Sequence, residues 1–235
     1  MKTVFYAANQ RGVANHGWLK SHHSFSFAQY YDPNKMGFGA LRVLNDDVVA
    51  PKMGFSAHPH NNMEIISIPL KGALDHEDNM GNKHTISSGE IQIMSAGTGI
   101  IHSERNNSMD VETEFLQIWV EPKSQNVEPR YDQQAIPSKL NSWVQILSPN
   151  PEDDGVWVHQ DAWFTMGEFT QEQTGVYSLN LPQNATYIFV LEGTIEIEGT
   201  QLNQRDALGI SETSSWNWKS RPNSKILVME IPLKS

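Results

Sequence analysis

The chemistry-bearing residues of this chain gather in two short segments. His58-Pro59-His60 is followed closely by Glu64, and His102-Ser103-Glu104 comes about forty residues later. Side chains alternate across a β-strand, so His58 and His60 share one face of a strand, and His102 and Glu104 share one face of another. If the two strands are neighbours, three imidazoles and a carboxylate converge with no thiolate among them. That donor set suits Fe(II), Mn, Ni, Co, Cu or Zn, and geometry rather than affinity selects between them. Three neutral imidazoles and one carboxylate leave a divalent ion with net positive charge and, at coordination five or six, with open positions, which make a site catalytic. His-x-His alone reads equally well as a solvated or hydrogen-bonded pair. The His-x-Glu pair on a second expected strand turns the reading toward metal.

The elements that must position these residues are short strands. Thr194 to Glu198 and Glu90 to Ile93 alternate strictly, while Glu64 to Leu70, Glu114 to Val120, Val176 to Leu181, Tyr187 to Leu191 and Lys225 to Ile231 are β-rich runs bounded by Gly, Pro, Asn or Ser. No window carries a long apolar repeat at helical spacing, so helices should be few and the fold an all-β sandwich or barrel. Pro59 belongs at a strand start or sheet edge, because it donates no ladder hydrogen bond. Gly97-Thr98-Gly99 lets backbone or ligand approach closely. A duplication is visible: Glu64 to Gly72 leading to Ile86 through Met94 resembles Tyr187 to Gly193 leading to Leu202 through Ile210. Between the halves, Glu121 to Arg130 and the polar residues up to Asn141 read as a linker.

Composition limits the chemistry further. The 235 residues include nine histidines and no cysteine, which excludes disulfides, Cys-ligated zinc, iron–sulfur clusters and thiol nucleophiles. The formal charge of −10 opposes direct binding to nucleic acid. No stretch has the apolar length of a membrane span, and the opening residues carry no signal-peptide pattern, so a cytoplasmic location is expected. Nucleotide loops and Gly-x-Ser-x-Gly nucleophile motifs are absent.

Several runs together resemble the pirin family of the cupin superfamily, closest to the bacterial pirin-like quercetin 2,3-dioxygenases. They are Gly54 to Glu64 around His58-Pro59-His60, Asp78 to Asn82, Gly89-Glu90, and Met94 to Glu104 around Gly97-Thr98-Gly99 and His102. Ala14 to Leu19, Ser24 to Phe27, Tyr31-Asp32-Pro33, Leu41 to Asp47 and Val158 to Asp161 extend the likeness over nearly the whole chain. The resemblance implies two tandem cupin (jelly-roll β-barrel) domains, a bicupin: residues 1–122 forming a metal-binding domain, 123–141 a linker and 142–235 a second, cupin-like domain without a metal site. It implies one divalent ion, iron first, held by His58, His60, His102 and Glu104. Glu64, the position where other cupins take their glutamate, is assigned to structure or to orienting a histidine N–H.

The implied reaction is cleavage of a flavonol such as quercetin with O2, with Glu104 as the base that takes the flavonol's 3-hydroxyl proton. Two alternatives stand beside it: a metal-dependent regulatory or protein-binding pirin, and a cupin enzyme acting on another small enol or diol. The sequence sets neither the oligomeric state nor the metal. In the second half the positions of His58, His60 and Glu64 are expected at Leu179, Leu181 and Ala185, and those of His102 and Glu104 at Trp218 and Ser220. His159 reads as a surface or inter-domain contact. His22 and His23 could edge the pocket, and His76 and His84 read as solvated.

Overall fold

In the computed structural model, which describes residues 1–233, the period-two runs become strands; the last two residues of the expected second domain lie outside it. The helical segment among the described residues is the 3-10 turn Ala8–Gln10, and no helix is long and apolar enough to cross a membrane. Each half is a seven-stranded sheet laid over a four-stranded one. The first large sheet runs Arg130–Ala135, Glu90–Ser95, Glu64–Lys71, Thr113–Val120, Leu41–Val49, Leu19–His23, Gly12–Asn15. Its small sheet runs Gly54–His60, Ile100–Asn106, Ala73–Asp78, Lys83–Ser87. The second half repeats the arrangement with Lys2–Tyr6, Ala207–Ser211, Asn184–Glu192, Ser224–Pro232, Trp163–Phe169, Ser142–Ser148 and Val156–Trp157. Its small sheet is Gln173–Ser178, Ser215–Ser220, Thr194–Ile197 and Thr200–Asn203. Gly72 and Gly193 make the equivalent turns by which the chain passes from large sheet to small sheet, at φ 77° and 70°, a conformation that favours glycine.

Neither large sheet is built from one half of the chain alone. Lys2–Tyr6 pairs with Ala207–Ser211 at the edge of the second sheet. Arg130–Ala135, inside the stretch expected as a linker, pairs with Glu90–Ser95 at the edge of the first. A polar composition suits an edge strand, which has a partner on only one side and here is half-buried or exposed along its length.

The two large sheets pack face to face. Ile66 and Ile68 point out of the first barrel and join Leu116 and Ile118, together with Phe164, Tyr187, Phe189, Leu227 and Met229 of the second, in one apolar cluster. Ile65 and Ser67, alternating with them, point into the first barrel. That interior is partly polar. Strand register sets Gln92, Ser67, Gln117, Asn45 and His23 side by side across five strands, all buried. The interior of the second barrel holds the apolar residues Ile188, Val190, Ile195, Ile197, Leu202 and Leu208 with aromatic partners.

A charged cluster ties the halves together beside the apolar interface. Asp46 Oδ2 accepts from Arg11 Nη1 at 3.1 Å and from Arg205 Nε at 2.8 Å, and all three side chains are largely buried. Removing the carboxylate leaves two guanidinium groups without their counter-charge. An Asp46→Ala variant should lose about 3 kcal/mol of stability, measured by denaturant unfolding, a value typical of a broken buried ion pair.

Candidate metal centre

The site is built on two antiparallel strands of the first small sheet. Gly54–His60 pairs with Ile100–Asn106, setting His58 opposite His102 and His60 opposite Ile100, with a register shift between His102 and Glu104. Gly54 is required by close approach, since a Cβ there would lie 2.1 Å from the carbonyl oxygen of Glu104. Pro59 is exposed on a strand with one neighbour only, where a missing N–H donor costs nothing.

Three histidines converge. One ring nitrogen from each of His58, His60 and His102 lies within 4.8 Å of the others, and Nε2 of His58 is 3.1 Å from Nε2 of His102. His58 Nδ1 sits 2.7 Å from the carbonyl oxygen of Ser56. Donation there fixes the tautomer and leaves a lone pair on Nε2. Two nitrogens bound at right angles to an ion about 2.1 Å away would be separated by about 3.0 Å, so the observed spacing suits a shared cation. Burial, followed by the neighbouring His58, lowers His60 to about 4. Burial and then His58, His60 and His76 lower His102 to about 2. Both rings are therefore neutral near pH 7, the form that binds metal.

Glu104 shares the inner face of its strand with His102 and is fully enclosed. Its Oε1 accepts from Ser67 Oγ at 3.0 Å, while Oε2 is buried without a partner among the described residues. Its oxygens are not among the atoms that cluster within 4.8 Å. Burial raises its pKa, opposed first by the Ser67 hydrogen bond. The bare Oε2 and the equally bare Nδ1 of His102 mark a polar interior that fits a cation with nitrogen and oxygen donors.

Glu64 faces the other way. It lies on the same side of its strand as Ile66 and Ile68, where Ser95 Oγ (2.8 Å) and the backbone N–H of His159 (3.2 Å) donate to Oε2. It thus joins the barrels and orients no histidine of the cluster. The expectation of an inter-domain role for His159 agrees with this contact. His76, expected in solvent, is buried instead. Its ring lies 5.4 Å from that of His102, its Nε2 is 3.1 Å from Asp78 Oδ2, and its Nδ1 has no partner among the described residues. The signal was alternation: Leu74, His76 and Asp78 share the inner face, and register sets His76 opposite Glu104 and Asp78 opposite His102. His84 does stay exposed, stacked on Tyr131. His23 is buried against Asn45 Oδ1 at 2.8 Å and borders a cavity, whereas His22 lies on the outer face near Asp46.

That cavity, of about 800 Å³, opens into the first barrel. Its walls include Trp18, Phe27, Tyr30 and Phe55, with Asp47 and Gln117 among its polar residues. Phe27 meets Trp119 edge-on at 5.4 Å, and Trp119 meets His60 at 4.9 Å, so one indole separates the cavity wall from the histidine cluster.

In the second barrel, Trp218 stands opposite Gly175. That pairing puts Gly175, rather than the expected Leu179, where His58 stands in the first barrel, because the following turn is four residues longer. Glycine is accommodated there by the Trp218 ring, which a Cβ would approach to 2.9 Å. Trp143, Phe169 and Trp218 pack on one another and fill this space.

Residues 5–120 match the family described as Pirin, and residues 145–231 match the one described as Quercetinase C-terminal cupin domain. The chain is 41% identical over 225 residues to the quercetin 2,3-dioxygenase of Escherichia coli, covering 96% of each chain. It is 42% identical over 204 residues to a pirin-like protein of Caulobacter vibrioides, covering 86% of this chain and 87% of that one. The crystal structure of the bacterial pirin YhhW from Escherichia coli in complex with nickel(II) superposes with a TM-score of 0.94 at 39% identity, covering 99% of this chain and all of that one. With two barrels in the same order, matching profiles on both and this identity over nearly its full length, the chain belongs to the pirin family.

Proposed function

We propose that this pirin is a metal-dependent dioxygenase that cleaves a flavonol such as quercetin with O2, with His58, His60, His102 and Glu104 holding one divalent ion, iron first among the candidates. The observation that carries the reading is the convergence of three histidine nitrogens beside an aromatic-walled cavity, in a chain whose 41%-identical relative is named quercetin 2,3-dioxygenase. Its partners on this reading are a small aromatic substrate and O2, in the cytoplasmic setting that the sequence suggests.

A divalent ion bound there supplies Lewis-acid polarisation of a substrate oxygen and a meeting point for O2. The chain's own residues do the rest. Ser56 keeps His58 in the tautomer with Nε2 free. Trp119 and Phe27 screen the cluster from bulk water. Ser67 holds Glu104 by Oε1, leaving Oε2 free to take the proton of the substrate hydroxyl. The O–H bond breaks, its electron pair stays on the substrate oxygen as an enolate, and the proton ends on Oε2. Burial has already raised the affinity of Glu104 for that proton.

Elemental analysis of tag-free protein should find about one divalent ion per chain, lost in His58→Ala, His60→Ala and His102→Ala but kept in Glu64→Gln, whose carboxyl faces the second barrel. Quercetin added to iron-, manganese- or nickel-loaded protein in air should drive O2 uptake. Glu104→Gln should slow turnover about a hundred-fold or more. No O2 uptake with any of the three metals, or full activity in His58→Ala, would refute the reading.

A further inference from the structure

Asp47 is a buried carboxyl that neither the ligand set nor the interface uses. It lies on the inner face of Leu41–Val49, opposite Ser21 on one neighbouring strand and Phe115 on the other. The residue is 2% exposed, and its Oδ1 has no partner among the described residues. A bare carboxylate oxygen in a protein interior is destabilising unless a donor reaches it. This one borders the cavity of about 800 Å³ whose walls carry Trp18, Phe27, Tyr30 and Phe55. Glu104 is not among the residues bounding that cavity, so the carboxyl that faces the part of a substrate seated there is Asp47.

Aromatic walls with a bare carboxylate oxygen among their polar groups favour a flat ring bearing a donor at its edge. We propose that Asp47 anchors the substrate: its Oδ1 accepts a hydrogen bond from a ring hydroxyl of a planar hydroxylated aromatic held between Trp18, Phe27, Tyr30 and Phe55, and so selects hydroxylated rings over bare ones. The proposal deepens the dioxygenase reading and takes its ligand class from it. It assigns Asp47 no proton transfer, which stays with Glu104. Burial lifts the Asp47 carboxyl to about 7, with Ser21 opposing and Asp46 and Glu104 adding. A hydroxyl donated to Oδ1 favours the charged form and draws that value down.

The test is equilibrium binding under nitrogen, followed by tryptophan fluorescence, to nickel-loaded wild type, Asp47→Asn and Asp47→Leu. The probes are quercetin and flavone, the same ring system without hydroxyls. Quercetin affinity should fall about ten-fold in Asp47→Leu, the loss expected of one hydrogen bond to a charged acceptor, and by a smaller factor in Asp47→Asn, whose amide oxygen still accepts. Flavone affinity should change less than about two-fold. Unchanged quercetin affinity in both variants would overturn the anchor, and so would a parallel loss for both probes in the isosteric Asp47→Asn, which marks a structural role. Aerobic assays separate the two readings. Asp47-dependent quercetin binding without O2 uptake leaves the anchor standing and removes the dioxygenase. O2 uptake with kcat and KM unchanged in Asp47→Leu keeps the dioxygenase and removes the anchor.

Discussion

The large sheet of the first barrel is buried on both faces, and that constraint decides what each residue along its strands can do. One face meets the second barrel, and there Ile66, Ile68, Leu116 and Ile118 are apolar. The other face looks into the first barrel, and along it Gln92, Ser67, Gln117, Asn45 and His23 form a polar row. Buried polar groups are tolerated where they bond one another or await a ligand. Ser67 on Glu104 and Asn45 on His23 do the former. Oε2 of Glu104 and Oδ1 of Asp47 have no partner among the described residues.

The same alternation separates carboxylates that look interchangeable in the sequence. Asp46 and Asp47 are adjacent, yet one points outward to Arg11 and Arg205 and the other inward to the cavity. Glu64 and Glu104 lie on opposite sides of one sheet, the first accepting from the backbone of the second barrel and the second from Ser67 beneath the histidines. A one-residue slip of Leu41–Val49 would exchange the faces of Asp46 and Asp47, since it turns every side chain to the other face. The glycine at 54 and the register shift beside Glu104 allow the two ligand strands to close up in the register that sets His58 against His102.

The two barrels share a plan and differ in what fills them. Where the first has histidines, the second has Gly175 and Trp218, with Trp143 and Phe169 packed around the indole. A large aromatic side chain stands where the histidines converge in the first barrel. The second barrel also supplies the other half of the apolar interface and one arginine of the cluster around Asp46. It backs the sheet from which Ser67, Asn45 and Gln117 point into the first barrel.

Much was legible in the sequence because its signals are local. Period-two runs marked the strands, Gly72 and Gly193 marked the repeated turn between strands, and two His-containing alternations marked three of the side chains that meet. What stayed hidden depends on pairing between distant segments. That Lys2–Tyr6 would finish the second barrel, and that the polar stretch after Glu121 would hold the strand Arg130–Ala135, follows from which sheet edges were open, and no local pattern records that. His76 was misplaced for a related reason: short alternation around a turn does not say which face is inner until Ile100–Asn106 pairs alongside. By itself the sequence determined residue types, periods and the absence of thiols. The tertiary structure decided the direction of each carboxylate, because burial and partners belong to the packed sheets and not to any one strand.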